Sequence, residues 1–171
     1  LDTGFEVPEA QQHRLAEPYA LDPDTGTAVQ LLDPRRPAAF QSGGGGLMST
    51  AADYARFLQM LLNGGTLDGA RILGPKTVEL MTADHLGTIP RAPDILPPGY
   101  GFGLGFAVRL EAGLASDPGS AGTYGWSGIA GTLFFVDPQE QLIALLMVQA
   151  PGQAEEVRER FRNMVFAALD A

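Results

Sequence analysis

The chain has 171 residues, 45% of them hydrophobic and 18% charged, which allows one domain with a sizeable core and argues against disorder. Its 20 acidic residues against 11 basic ones give a formal net charge of −9, which repels nucleic acid and favours solubility. It has no cysteine, so disulfides, thiolate metal sites and a cysteine nucleophile are excluded, while the compartment stays open.

No apolar run approaches the roughly 20 residues needed to cross a bilayer, so no membrane span is expected. Leu1 to Ala10 lacks the basic start and apolar stretch of a signal peptide. The chain opens without Met, and its first residues read as the middle of a domain, so an N-terminal portion is expected to precede it.

Leu1 to Pro8 reads as an extended entry, with Pro8 as the first position of a short helix through His13. Pro18 to Leu32 predicts two short strands around the turn Asp22-Pro23-Asp24-Thr25-Gly26, where Pro sets φ and Gly supplies positive φ. Asp33 to Gly46 is a Pro- and Gly-rich loop. Thr50 and Asp53 then make a capping-box-like start, with Asp in place of Glu or Gln. Tyr54, Phe57, Leu58, Leu61 and Leu62 follow at helical spacing, and Asn63-Gly64-Gly65 ends the helix. A second helix is predicted from Pro75 to near Ala83, burying Val78 and Met81, and His85 to Pro98 is loop.

From Gly99 the period changes. Tyr100, Phe102, Leu104, Phe106 and Val108 alternate with small residues, which predicts one strand. Further strands are predicted at Gly122 to Trp126, Thr132 to Val136 and Leu142 to Gln149, with a turn at Asp137-Pro138-Gln139-Glu140. The unbroken apolar run of the last predicts burial on both faces. Gln153 to Leu169 reads as an amphipathic helix with Val157, Phe161, Met164, Val165 and Leu169 inward and Glu156 and Arg160 paired on the other side. Helices and strands that do not alternate argue for an α+β fold, an antiparallel sheet flanked by helices.

The most informative stretch is Thr123-Tyr124-Gly125-Trp126-Ser127-Gly128-Ile129-Ala130-Gly131-Thr132. Glycines within a strand let a ligand or another backbone come close, so this reads as a strand edge open to a ligand and backed by a hairpin. The plainer alternatives are a core aromatic at Trp126 and a satisfied strand serine at Ser127. Gly43 to Gly46 lacks the Gly-Lys-Ser/Thr of a phosphate loop, and Gly99-x-Gly101-x-Gly103-x-Gly105 has the period of a strand and not of a dinucleotide fingerprint. His13 and His85 have no acidic residue at ligand spacing, so no metal is expected, and Asp53 reads as a cap before an acid catalyst.

Four segments, in order, resemble the serine β-lactamase and penicillin-binding-protein superfamily, above all its esterases and class C β-lactamases. They are Leu1 to Pro8, Gly44 to Phe57, Tyr100 to Phe106 and Gly125 to Asp137. The resemblance implies a β-lactamase/transpeptidase-like fold whose C-terminal portion is residues 1–171. Residues 1–98 would be loops and a helical insert, and 99–171 antiparallel strands plus a C-terminal helix. It implies acyl transfer through a serine ester, without cofactor, on a small-molecule ester or amide. The family nucleophile lies in Ser-x-x-Lys. Here the single lysine, Lys76, is preceded at that spacing by Leu73, so the motif is absent and the nucleophile is expected from an N-terminal half of the same protein.

By the same resemblance, the backbone N–H of Ile129 is an oxyanion donor, and Trp126, Ser127 and Gly128 line the substrate. Trp126 stands where relatives carry Lys or His. It offers one N–H and an apolar face, which favours a neutral ester over a β-lactam or D-peptide. The alternatives are a β-lactamase or D-amino peptidase with the same cleft, and a non-catalytic binding module of the same fold.

Overall fold

Thr50 accepts the backbone N–H of Asp53 through its hydroxyl at 3.2 Å, and this cap starts α1 (Ala51–Leu62). The expected reciprocal bond is not what Asp53 makes. Its carboxylate instead accepts the Asp2 N–H at 2.6 Å and the Thr3 hydroxyl at 2.9 Å, bonds that hold its pKa below the usual carboxylate range. One half of a capping box thus becomes a tie between the N-terminal segment and α1. The computed structural model describes residues 2–36, 39–91 and 95–169, so Leu1, Pro37, Ala38 and Pro93, all in segments expected to be irregular, lie outside the described residues.

A 3₁₀ helix at Glu9–Arg14 follows Pro8, close to the predicted short helix. The two strands predicted within Pro18 to Leu32 do not form. Only the Leu21–Ala28 bridge is made, around a local turn in which Asp22 Oδ1 takes the N–H groups of Asp24 and Thr25 and the Thr25 hydroxyl. After α1 come a two-residue hairpin, β1 (Thr66–Leu67) with β2 (Ala70–Arg71), and the helix α2 (Pro75–Met81), which buries Val78.

The predicted single strand from Tyr100 to Val108 is a hairpin, β3 (Tyr100–Phe102) and β4 (Ala107–Arg109). Gly105 takes a φ of +97°, which a side chain resists, and the Leu104 N–H is drawn to the Met81 carbonyl at 2.8 Å. Period-two alternation cannot tell a straight strand from one that folds back. Then come β5 (Tyr124–Ser127), β6 (Leu133–Asp137), β7 (Leu142–Leu146) and the helix α3 (Ala154–Ala167). The strands form an antiparallel five-stranded sheet in the order β3-β4-β5-β6-β7. The fold is α+β, an antiparallel sheet flanked by helices, as the sequence predicts.

Strand β6 is buried along its whole length, and its alternate residues serve two cores. Phe134 and Val136 join Leu58, Leu61, Val78 and Tyr124 on the α1 side. Leu133 and Phe135 join Ala144 and, from α3, Phe161, Val165 and Phe166 on the other. The strand expected to be buried on both faces, Leu142 to Gln149, meets both cores, with Ile143 and Leu145 on the α1 side and Leu142, Ala144 and Leu146 on the α3 side, but its burial is only partial. β7 ends at Leu146 and lies at the sheet edge, half-buried except for Ala144. Two inward assignments on the predicted C-terminal helix also change, Met164 and Leu169, both of which are exposed. Met164 is 72% exposed, while Arg162 of α3 turns in over the Phe135 ring at 4.6 Å. Phe57 is exposed and packs edge-on against Tyr54. Glu156 and Arg160 pair at 2.6 Å on the solvent side of α3, as expected.

At the end of β6, Asp137 is fully buried. Its carboxylate accepts the Ser120 N–H at 3.0 Å, the Thr123 hydroxyl at 2.8 Å and the N–H groups of Gln139 and Glu140 at 3.1 and 3.3 Å. Burial pushes the carboxyl pKa up, but the hydrogen bonds from Ser120, Thr123 and Glu140 outweigh it and leave it lowered. Because the folded value lies below the unfolded one, the ionised group stabilises the fold in full above about pH 4 and less as pH falls towards the lowered value. Asp137→Asn turns an amide against these donors and is expected to cost roughly 3 kcal/mol in urea unfolding at pH 7, with a shallower loss of stability below pH 4 than the parent.

Candidate functional site

Strand β5 is paired on both sides only in its first half. β4 meets it at Ala107–Gly125 and Val108–Tyr124 and goes no further, whereas β6 follows it through Trp126–Phe134 and Ser127–Leu133. The edge beside Trp126 and Ser127 is therefore not covered by β4. Gly125 is where the strand is tightest, since a Cβ there would run into the Phe134 carbonyl oxygen and lie 2.9 Å from Phe135 Cα.

The register sends the site residues to different sides. Trp126 shares the α1 side with Tyr124 and Phe134, is 36% exposed, and meets Phe102 edge-on at 5.2 Å across β4. Ser127 lies opposite Leu133 and so points to the α3 side, exposed. Trp126 and Ser127 do not line one surface. Two residues earlier, burial pushes the Tyr124 phenol up to about 12, so it stays protonated through neutral pH.

After Ser127 the chain makes a tight turn. The Gly128 N–H donates to the Thr132 carbonyl at 2.9 Å, and the Gly131 N–H donates to the Gly128 carbonyl at 3.0 Å. The Ala150 N–H, just past β7, donates to the Ala130 carbonyl at 2.8 Å. The residue just past the long apolar run thus holds this turn. Arg158 of α3 donates from Nη2 to the Gly128 carbonyl and from Nη1 to Glu155 at 3.0 Å. Among the described residues no acceptor takes the N–H of Ile129, whose side chain is 86% exposed. Beside it lies a surface depression of about 590 Å³, walled in part by Val29, Leu31, Ile129 and Pro151.

Other candidates have ordinary partners. The His85 ring bonds the Leu80 carbonyl through Nε2 at 2.7 Å, and Lys76 pairs with Glu79 at 2.5 Å on the surface. Among the described residues no helix is long and apolar enough to cross a membrane. Sequence reasoning missed Arg158. Its one signal was charge inside the apolar stripe of α3, where Arg158 and Arg162 recur at i,i+4 beside Phe161.

The Beta-lactamase family model matches residues 1–169. The chain belongs to the Beta-lactamase family. Protein Rv1367c of Mycobacterium tuberculosis is 39% identical over 157 residues, covering 86% of this chain and 39% of that protein. Esterase EstB of Burkholderia gladioli is 30% identical over 170 residues, covering 96% of this chain and 38% of the esterase. Among solved structures, EstCE1, described as a hydrolase with promiscuous acyltransferase activity, superposes with a TM-score of 0.64 at 26% identity, covering 95% of this chain and 45% of that one. The chain thus spans about two fifths of the length of these curated family members.

The crowding at Gly125 gives a test of how this family member holds its strand. Gly125→Ala is expected to lower stability by roughly 2 kcal/mol through overpacking against β6, read as a lower Tm in calorimetry.

Proposed function

We propose that this chain forms one wall of the active-site cleft of a serine hydrolase that acts on carboxylic esters through an acyl-serine intermediate. The carrying observation is the Ile129 N–H, which has no internal acceptor among the described residues and lies next to the half-open edge of β5. Similarity to an esterase and to a hydrolase with acyltransferase activity supports a hydrolase at the family level.

In this reading the nucleophilic serine and its lysine come from polypeptide outside these 171 residues, since Ser-x-x-Lys is absent here. The serine oxygen attacks the ester carbonyl, and negative charge gathers on the carbonyl oxygen. The Ile129 N–H donates to that oxygen together with the N–H of the nucleophile, so the charge is met by dipoles already in place. Collapse of the tetrahedral species expels the alcohol and leaves the acyl-serine, which water then cleaves.

Trp126 lies along the edge where the substrate would lie. Its indole supplies an apolar face and no cation, so a substrate carboxylate gains no ion pair from this position. The neighbouring depression mixes apolar walls, Val29, Leu31, Ile129 and Pro151, with the carboxylates of Asp22 and Asp24, which disfavour an anionic group there. Ser127, on the opposite side of the sheet from Trp126, takes a lesser part than the sequence implied, and Gly128 serves through its backbone.

Two outcomes test the reading in the full-length protein. Ile129 is the second residue of the Gly128–Gly131 turn and is not at positive φ, so proline fits there while removing the N–H. Ile129→Pro is expected to lower kcat/KM for p-nitrophenyl butyrate by roughly 100- to 1000-fold while the protein stays folded by circular dichroism. p-Nitrophenyl butyrate should be turned over faster than nitrocefin, and Trp126→Lys should narrow the gap by raising nitrocefin hydrolysis. Faster nitrocefin turnover by the parent protein would reject the ester preference.

A further inference from the structure

The peptide unit joining Gly128 to Ile129 has two ends. A trans peptide is planar, and its C=O and N–H point in opposite directions. Whatever holds the Gly128 oxygen therefore aims the Ile129 N–H the other way. Two donors hold that oxygen, the Gly131 N–H at 3.0 Å within the turn and the Arg158 guanidinium from α3.

The turn bond alone is a weak guide, since many turns of this length lack it altogether. The guanidinium adds a charge-assisted bond from a rigid helix. The Arg158 side chain is only 16% exposed, and Glu155 holds its Nη1 at 3.0 Å. Its Nε is buried and meets no acceptor among the described residues, so the side chain is held in this pose at the expense of a hydrogen bond. A cation on the carbonyl also draws electron density through the conjugated amide, which makes the N–H at the far end a stronger donor.

We propose that Arg158 is a positioning residue for oxyanion stabilisation. It touches no substrate, but it aims and polarises the Ile129 N–H through the Gly128 carbonyl. This rests on the ester-hydrolase reading above for its catalytic consequence, though not for its structural one.

The experiment uses the full-length protein with Arg158→Ala, Arg158→Gln, Arg158→Lys and, as a control on the solvent side of the same helix, Arg160→Ala. With p-nitrophenyl butyrate, Arg158→Ala is expected to lower kcat roughly 10- to 100-fold with little change in KM, because the interaction strengthens only as the oxyanion forms. Arg158→Lys should recover part of the loss, and Arg160→Ala should leave kcat unchanged. A boronate that mimics the tetrahedral intermediate should lose affinity in step with kcat. Should Arg158→Ala fail to fold, Arg158→Gln keeps the stem and a donor without the charge and is read in the same way. In parallel, the Ile129 amide resonance is followed by NMR, where loss of the guanidinium should shift it and speed its exchange. Unchanged kcat per folded molecule, with only a lower Tm, would overturn the proposal in an enzyme that hydrolyses esters. If the parent hydrolyses no ester, the functional reading fails by itself, and an Ile129 resonance unmoved by Arg158→Ala overturns the structural claim independently.

Discussion

Strand β6 must bury both of its faces at once, and the rest of the structure is arranged around that requirement. Phe135 stacks on Phe166 at 5.4 Å and meets Phe161 at 6.3 Å, while its neighbour Phe134 packs against Tyr54 and Phe106 at 5.4 and 6.1 Å. A strand with two apolar faces needs a helix on each side, which α1 and α3 provide. Its backbone groups can then be satisfied only by neighbouring strands, so β5 and β7 are drawn to its edges. Asp137 closes the strand with four donors on one buried carboxylate.

The same requirement places the site. β5 is held to β6 along its full length, but β4 turns away at Phe106 and leaves the distal half of β5 without a partner on that side. The turn that follows is held from three directions: by its own Gly128–Gly131 bond, by Ala150 beyond β7, and by Arg158 on α3. The proposed functional surface thus lies where the best-packed strand hands over to an exposed turn. Rigid elements fix its polar groups, so few degrees of freedom remain to be ordered when a ligand arrives.

How legible this was varied with the length scale of the physics involved. Helices α1 and α3 and strands β5 to β7 were visible because periodicity and capping act over a few residues. The hairpin at Gly103 to Phe106 was hidden, since β3 and β4 carry the same alternation as one long strand. The two strands expected around Asp22 shrink to one bridge, Leu21–Ala28, around a turn whose donors are gathered by the Asp22 carboxylate. Complete double burial was assigned to β7 from its apolar run, yet the order of strands gave it to β6 and left β7, at an edge, only partly buried on its two faces. Trp126 and Ser127 were grouped by adjacency, and the pleat divided them, as it must for neighbouring residues in a strand.

The amino-acid sequence by itself determined the α+β character, the helix starts, the Gly-rich strand with its Trp-Ser-Gly triplet, and the absence of Ser-x-x-Lys within these 171 residues. These follow from residue type and short-range spacing. Tertiary structure alone decided which strand is completely buried, where β4 stops, and that Arg158, 30 positions away in the chain, bonds the Gly128 carbonyl. The physical reason is range: propensity and periodicity are written locally, whereas the partner of a carbonyl oxygen in a turn depends on which distant segment the packing brings beside it.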